Sequence, residues 1–269
     1  MPVFLAYFLA PFKFSPIFRQ FARREILGRY RGSMLGITWA FISPLSMLAV
    51  YTFVFVEIFK ARWPGAVELG GFAFSQRIFA GLMVFNLFSE MVARAPTLVL
   101  EQANLVKKVF FPLELLPFIV MGSALFHFFL SAIILVASTL IFNQGLNFYF
   151  LFLPIVIIPL LPLLLGLSWL LAALGVYLRD IGQMVTLFVG LLMFLSPIFY
   201  SAQSLSSQWQ YWLDFNPLTH VIENLRRVVF LSAAPHWADW WTGLGVGCAV
   251  AVVGAWTFNK TRDGFADVI

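Results

Sequence analysis

Charge is scarce in this chain, and that scarcity sets the first limit on its function. Only 11% of the 269 residues are Asp, Glu, Lys or Arg, whereas 61% are hydrophobic. A soluble domain has no interior large enough to bury so much apolar surface. The composition therefore predicts an integral membrane protein. A net charge of only +5, spread over short segments, argues against nucleic acid as a partner and suits anionic membrane lipids.

Several other absences exclude whole kinds of chemistry. The single cysteine, Cys248, rules out an intramolecular disulfide and a cysteine metal cluster. The spacing of a metal-ligand motif is absent from the three histidines, His127, His220 and His236, so we expect no metal site. No G-x-x-x-x-G-K-[ST] motif is present, so the chain has no P-loop for nucleotide phosphates. We therefore expect no cofactor on this chain.

The apolar residues fall into six long runs. A helix of about 20 residues crosses the hydrocarbon core of a bilayer, which is about 30 Å thick. The predicted spans are residues 34–58, 72–92, 116–142, 149–176, 183–200 and 240–258. The predicted fold is an all-α integral membrane protein with six transmembrane helices, in which residues 1–269 form one transmembrane domain. The apolar N-terminal segment is expected to lie at the membrane interface.

The basic residues predict the orientation of these spans. With both termini in the cytoplasm, twelve of the 17 Lys and Arg residues lie on the cytoplasmic side, as the positive-inside rule requires. Six tryptophans then fall at the outer interface, where aromatic belts occur. They are Trp63, Trp209, Trp212, Trp237, Trp240 and Trp241.

An amphipathic helix is predicted at residues 16–32, directly before the first span. Ser15 is expected as its N-cap and Pro16 as its first residue, and its arginines share one face. Glu25 and Arg29 break this pattern and have the i,i+4 spacing of an ion pair. One interpretation is an interface helix whose arginines lie among lipid phosphates. The alternative is a helix that contacts a cytosolic partner through Glu25 and Arg29.

Two further segments between spans have defined patterns. In the cytoplasmic segment 93–117, Pro96 and Pro112 bracket a short helix, which is either a plain connector or a lever for a partner. The external segment 201–237 predicts two short re-entrant helices, the second starting at Asn216–Pro217. The helix predicted between Pro96 and Pro112 contains the charged residues Glu101, Lys107 and Lys108. In the second external helix, Glu223 is spaced to face Arg226 and Arg227.

Aromatic residues are abundant, with 32 Phe, 9 Trp and 7 Tyr. Most of them are expected to face lipid or neighbouring helices, and His127 is expected to hydrogen-bond to a neighbouring helix. Some aromatic rings in the first and fifth spans have a second interpretation, because a sugar chain stacks its C–H faces on such rings. These candidate channel residues are Trp39, Tyr51, Phe55, Phe188, Phe194, Phe199 and Tyr200. Charged residues deep in the spans, which proton-coupled transporters and ion channels use, are nearly absent, and this points to a separate ATPase subunit as the source of energy.

Six segments in the same order resemble the membrane subunit of bacterial polysaccharide-export ABC transporters. They are REILGRYRGSMLGITWAFISPLSMLAVYTFVF, NLVKKVFFPLELLP, LGVYLRDIGQMV, FLSPIFYS, NPLTHVIENLRRVVF and FADVI. This type 2 permease family includes exporters of O-antigen, capsule and teichoic acid. The resemblance covers residues 19–269 and leaves the first eighteen residues outside it.

The resemblance implies a homodimer in the bacterial inner membrane, with two ATP-binding cassette subunits that bind ATP and Mg²⁺. The implied substrate is a glycan on undecaprenyl pyrophosphate, and O-antigen is the favoured glycan. Residues 104–112 would form a coupling or gate helix, and residues 206–231 two external gate helices. The implied pyrophosphate contacts are Arg24, Arg29 and Arg31. The implied coupling residues are Glu25, Arg29, Lys107 and Lys108, and the implied gate residues are Asn216, Pro217, Glu223, Arg226 and Arg227.

Other functions stay open at this point. The chain is alternatively a capsule or teichoic acid exporter, or a type 2 permease for small drugs or ions. A membrane-embedded glycosyl or lipid phosphotransferase is a third possibility from another class. Such an enzyme needs paired carboxylates or a metal near the membrane surface, whereas Asp180 and Glu101 are isolated in the sequence.

Overall fold

A computed structural model describes residues 3–60, 70–104, 111–142 and 148–269. None of the described residues forms a strand, in agreement with the predicted all-α class. The principal helices are α1 (Val3–Lys13), α2 (Ser15–Gly28), α3 (Trp39–Thr52), α4 (Gly70–Arg94), α5 (Leu116–Ile141), α6 (Leu160–Tyr177), α7 (Ile181–Leu195), α8 (Ser207–Asp214), α9 (Pro217–Phe230) and α10 (Trp237–Thr261).

Five helical segments within the described residues are long and apolar enough to cross a membrane. They are Gly36–Ile58, Phe72–Thr97, Leu113–Ile141, Phe148–Tyr177 and Trp237–Val268. Their positions agree with five of the six predicted spans. The segment Phe148–Tyr177 is interrupted at residues 157–159, between a short helix, Leu153–Val156, and α6, and Pro159 lies in this interruption.

The sixth predicted span, residues 183–200, is not confirmed. Helix α7 has 15 residues and is about 22 Å long, which is shorter than the hydrocarbon core. The helix ends at Leu195 because Ser196 precedes Pro197, and a residue before proline is disfavoured in the helical region. Ser196 accordingly has an extended conformation, with φ −94° and ψ 147°.

Helix α4 lies at the centre of the bundle and packs against α3, α5, α7 and α9. Helices α6 and α10 form a second close pair, in which the backbones approach at glycines. A Cβ atom added at Gly254 of α10 would overlap the carbonyl oxygen of Gly166 in α6. Small residues that allow such close approach are typical of helix pairs in membranes.

The sequence analysis expected the N-terminal segment to lie at the membrane interface. In the structure, this segment packs against the helix bundle. Helix α1 packs against α10, and Tyr7 is only 3% exposed. The Tyr7 ring lies edge-on to Trp169 at a centroid distance of 5.4 Å, and its hydroxyl donates to Asn259 Oδ1 at 3.4 Å. The segment that the family resemblance left out is therefore part of the packed core.

Helix α2 differs from its predicted bounds at both ends. Ser15 is the first helical residue and not the N-cap; the cap position is Phe14, which makes no side-chain cap hydrogen bond. The helix ends at Gly28, four residues before the predicted end at Gly32. The chain then turns, and Gly32 has a φ of +85°, in the left-handed region that glycine tolerates.

Candidate functional site

Helix α2 and the residue directly after it, Arg29, are joined to the central helix α4 by two ion pairs. Arg94 donates to the carboxylate of Glu25, and Arg29 Nη2 donates to Glu90 Oε1 at 2.7 Å. Glu25 and Arg29 have the spacing of a local ion pair, but each of them pairs instead with a residue of α4. These contacts explain why Glu25 and Arg29 interrupt an otherwise apolar helix face, since each has an oppositely charged partner on α4.

Glu90 is the centre of a polar cluster that links the turn after α2 with α4 and α5. His127 Nδ1 lies 3.1 Å from Glu90 Oε2, and His127 Nε2 lies 2.9 Å from the hydroxyl of Tyr30. Burial raises the pKa of Tyr30, so this hydroxyl keeps its proton and donates to Nε2 when Nδ1 donates to Glu90. The expected hydrogen bonding of His127 to neighbouring elements is confirmed.

A cavity of about 550 Å³ lies beside the first ion pair. We call it the basic cavity, since four arginines and two glutamates line it. These residues are Arg24, Arg29, Arg31, Arg94, Glu25 and Glu101. The structure thus places the three arginines predicted for pyrophosphate binding around one space. Arg94 also lies 3.5 Å from Glu101, which accepts a hydrogen bond from Thr97 Oγ1 at 2.7 Å.

A larger cavity of about 850 Å³ adjoins the basic cavity, and Arg29 lines both. We call it the polar–aromatic cavity. Trp39 and Tyr51 of the first span line it, as do the cluster residues Glu90 and His127. Its volume is within the range of small-molecule sites, roughly 300–1,000 Å³.

The other predicted channel aromatics form a chain of rings between the first span and the segment after α7. The rings of Phe55 and Phe199 are stacked at 6.2 Å, and those of Phe194 and Phe199 at 6.0 Å. Tyr51 contacts Phe55 at 6.3 Å, and the Tyr200 hydroxyl donates to the Phe194 carbonyl at 3.4 Å. The sequence therefore identified rings that lie together.

Two predicted groups are not brought into this cluster. Phe188 is exposed on α7. Lys107 and Lys108 lie outside the described residues, as does most of the predicted coupling helix at 104–112. Their predicted roles stay predictions.

The two short helices predicted in the segment 201–237 are present as α8 and α9. Asn216 caps α9 by accepting from Leu218 N at 3.0 Å, and its amide nitrogen donates to Ser196 Oγ at 2.9 Å. The predicted pair of Glu223 and Arg226 is confirmed at 2.9 Å. Arg227 instead donates from Nε to the Ala234 carbonyl at 2.7 Å.

Arg226 binds four oxygens from three parts of the chain, and its side chain is almost fully buried. Besides Glu223, it donates to the carbonyls of Pro197 at 2.6 Å, Ile198 at 2.8 Å and Arg77 at 3.1 Å. Burial lowers the pKa of Arg226 to about 10, which still leaves the group charged at neutral pH. Arg77, near the start of α4, is also buried, and its guanidinium lies 4.8 Å from the Phe230 ring centroid.

Sequence reasoning missed Glu90, Asn86 and Ser131 as parts of a site. All three line the polar–aromatic cavity. A signal was available, because polar residues inside membrane spans are costly and mark functional sites by default. Within the described ranges, no group of three or more His, Cys, Asp or Glu side chains has the arrangement of a metal site.

Comparisons with known proteins point in one direction. The sequence model of the family described as "ABC-2 type transporter" matches residues 17–230. The chain is 27% identical over 253 residues to the O-antigen export system permease protein RfbA of Myxococcus xanthus, with 92% of this chain and 93% of the relative covered. It is 22% identical over 247 residues to a protein of the same name from Klebsiella pneumoniae, with 91% and 92% covered.

Proposed function

The chain belongs to the ABC-2 type transporter family, and on this premise we propose that it is the permease subunit of an ATP-driven exporter of lipid-linked polysaccharide. The proposed substrate is O-antigen on undecaprenyl pyrophosphate, since the curated relatives are named as O-antigen export permeases. Two copies of this multi-pass membrane protein would assemble with two ATP-binding cassette subunits in the bacterial inner membrane. Both termini would lie in the cytoplasm.

The basic cavity is the observation that carries this proposal. Among the described residues, Arg24 and Arg31 line it without an acidic partner, whereas Arg29 and Arg94 are paired with carboxylates. Arginine binds phosphate oxygens in a bidentate manner, and a pyrophosphate presents several such oxygens. A head group held here would lie next to the polar–aromatic cavity, on the route toward the aromatic rings of the first span.

The ion pairs suggest how helix α2 takes part in transport. A movement of α2 would be passed to α4 through the pairs of Glu25 with Arg94 and Arg29 with Glu90. In this proposal, Glu25 and Arg29 carry motion onward within the chain. Lys107 and Lys108, which lie outside the described residues, are proposed as further coupling residues for the ATP-binding subunit.

The test of this function is co-purification with the ATP-binding cassette protein that the proposal requires as a partner. We expect a stable complex whose ATPase rate in lipid nanodiscs changes when lipid-linked glycan is added. Failure of the two proteins to associate would overturn the assignment to an ATP-driven exporter. Stimulation by small drugs, with no response to lipid-linked glycan, would overturn the substrate assignment.

Replacing both Arg24 and Arg31 with glutamine should lower export of lipid-linked glycan by tenfold or more. The reason is the loss of two charge-assisted hydrogen-bonding groups, each worth about 1.5–3 kcal/mol. Export into proteoliposomes measures the effect, and size-exclusion chromatography checks assembly. The double variant Arg19→Gln/Arg23→Gln is the matched control, because these exposed arginines lie on the same helix outside the cavity. Equal export by the two double variants would contradict the prediction.

A further inference from the structure

The polar–aromatic cavity contains an amide group that the pyrophosphate assignment does not use. Asn86 lines the cavity from α4, a helix that is otherwise largely buried, and its side chain is exposed to that space. Among the described residues, its amide makes no hydrogen bond. An amide in a membrane span is costly unless water, protein or a ligand satisfies it. The exposed amide of Asn86 therefore indicates that the cavity binds a ligand with polar groups.

The polar groups are arranged as two facing pairs. Asn86 and Glu90 are four residues apart on α4, and His127 and Ser131 are four residues apart on α5, so each pair shares one helix face. The two pairs meet where His127 contacts Glu90 at 3.1 Å. Although Glu90 already accepts from Arg29 and His127, a carboxylate has about four acceptor positions, so it retains capacity for a ligand hydroxyl.

The opposite wall is aromatic. Trp39 and Tyr51 line the cavity from the first span, and Ser43 lies between them on the same helix. A site with one aromatic wall and one wall of amide, carboxylate and hydroxyl groups suits a sugar ring, which has apolar C–H faces and polar edges. Sites for small molecules generally combine an apolar lining with a few convergent polar groups.

The charges of the two cavities favour different parts of one ligand. In the polar–aromatic cavity, Arg29 and Glu90 balance each other, so the lining suits a neutral group. In the basic cavity, four arginines face two glutamates, so the lining suits an anion. Because Arg29 lines both spaces, a neutral sugar and a pyrophosphate joined by one covalent bond would fit across the boundary.

We propose that the polar–aromatic cavity binds the first sugar ring next to the pyrophosphate, with Asn86 and Glu90 as hydroxyl-binding residues. Trp39 and Tyr51 supply the stacking surface. This inference rests on the proposed function, because it concerns the sugar attached to the same lipid carrier. The proposed sugar site lies within a single protomer. The proposal does not depend on the route that the rest of the glycan takes through the transporter.

The experiment compares two probes in nanodiscs: undecaprenyl pyrophosphate alone and the same lipid carrying one neutral hexose. We expect wild-type protein to bind the hexose-bearing probe about tenfold more tightly, which corresponds to one or two hydrogen bonds. Asn86→Leu should reduce this ratio toward one and leave the affinity for undecaprenyl pyrophosphate unchanged. Thermophoresis with labelled protein measures both dissociation constants.

A second pair of variants distinguishes the loss of a sugar contact from a general effect of Asn86→Leu on folding. Ser43→Ala, inside the cavity, should also lower the ratio, whereas Ser46→Ala on the same helix lies outside the cavity and should not. Equal affinities of wild-type protein for both probes, or a ratio that neither Asn86→Leu nor Ser43→Ala lowers, would overturn the sugar site and leave the pyrophosphate assignment standing. Failure of wild-type protein to bind either probe would overturn the proposed function and the sugar site together.

Discussion

Arg226→Met is expected to lower the unfolding midpoint of the protein by about 10 °C. The substitution leaves the carbonyls of Pro197, Ile198 and Arg77 without this donor. It also leaves the Glu223 carboxylate without its ion-pair partner. Each buried acceptor left without its donor costs about 1–3 kcal/mol, and in a chain of this size each kcal/mol corresponds to about 2–4 °C. Thermal unfolding in detergent, followed by intrinsic fluorescence, measures the shift.

Arg227→Met is the matched control for this change. Arg227 is the next residue of α9, is exposed and makes one hydrogen bond, to the Ala234 carbonyl. Its loss should shift the midpoint by no more than about 3 °C, since one exposed hydrogen bond contributes about 1 kcal/mol. Arg226→Lys should fall between the two, because an ammonium group lacks the planar fork that spans several carbonyls. Equal midpoints for the two methionine variants would show that the buried arginine is not an anchor.

Helix α9 shows which contacts local sequence patterns can predict. The Asn216 cap and the Glu223–Arg226 pair depend on residues two and three positions apart, and both were predicted correctly. The carbonyl contacts of Arg226 depend on a helix that ends at Leu195 and on a residue 149 positions away. The sequence pattern of α9 alone therefore cannot predict the carbonyl partners of Arg226.

Membrane spans were predictable for a similar reason, since hydropathy is a local property. Five spans agree with the sequence analysis, whereas residues 183–200 contain a helix that ends at Leu195. Hydropathy does not register the conformational effect of Pro197 on Ser196, although the rule for residues before proline was available. Apolar composition alone thus overestimated the length of this helix.

In the candidate site, the sequence identified the arginines but not their acidic partners. Glu25 and its partner Arg94 are 69 positions apart in the chain, and Arg29 and its partner Glu90 are 61 positions apart. The i,i+4 spacing of Glu25 and Arg29 favoured a local pair, and the tertiary contacts with α4 were stronger. The unusual polar residues of α2 were therefore correctly singled out, while their partners required the packed bundle.

Gly254→Val is expected to prevent stable packing of α10 against α6. A Cβ at this position would overlap the carbonyl oxygen of Gly166, and that oxygen belongs to backbone, which has no alternative rotamer. Overpacking a well-packed site costs about 1–3 kcal/mol even when side chains can adjust, so a backbone clash should exceed that range. We expect little or no monodisperse protein by fluorescence-detected size-exclusion chromatography after expression in membranes.

Gly245→Val separates this clash from the general effect of valine in the helix. Gly245 lies in α10 with no neighbouring atom within 4 Å of an added Cβ, so this variant should express and elute as wild type does. Gly166→Val tests the same contact from α6, because a Cβ there would press on the Val250 carbonyl. Lipid solvates apolar side chains as well as a neighbouring helix does, so close backbone approach is a principal source of helix association in membranes. If Gly254→Val and Gly166→Val both matched Gly245→Val, α6 and α10 would have to be held together by contacts other than their glycines.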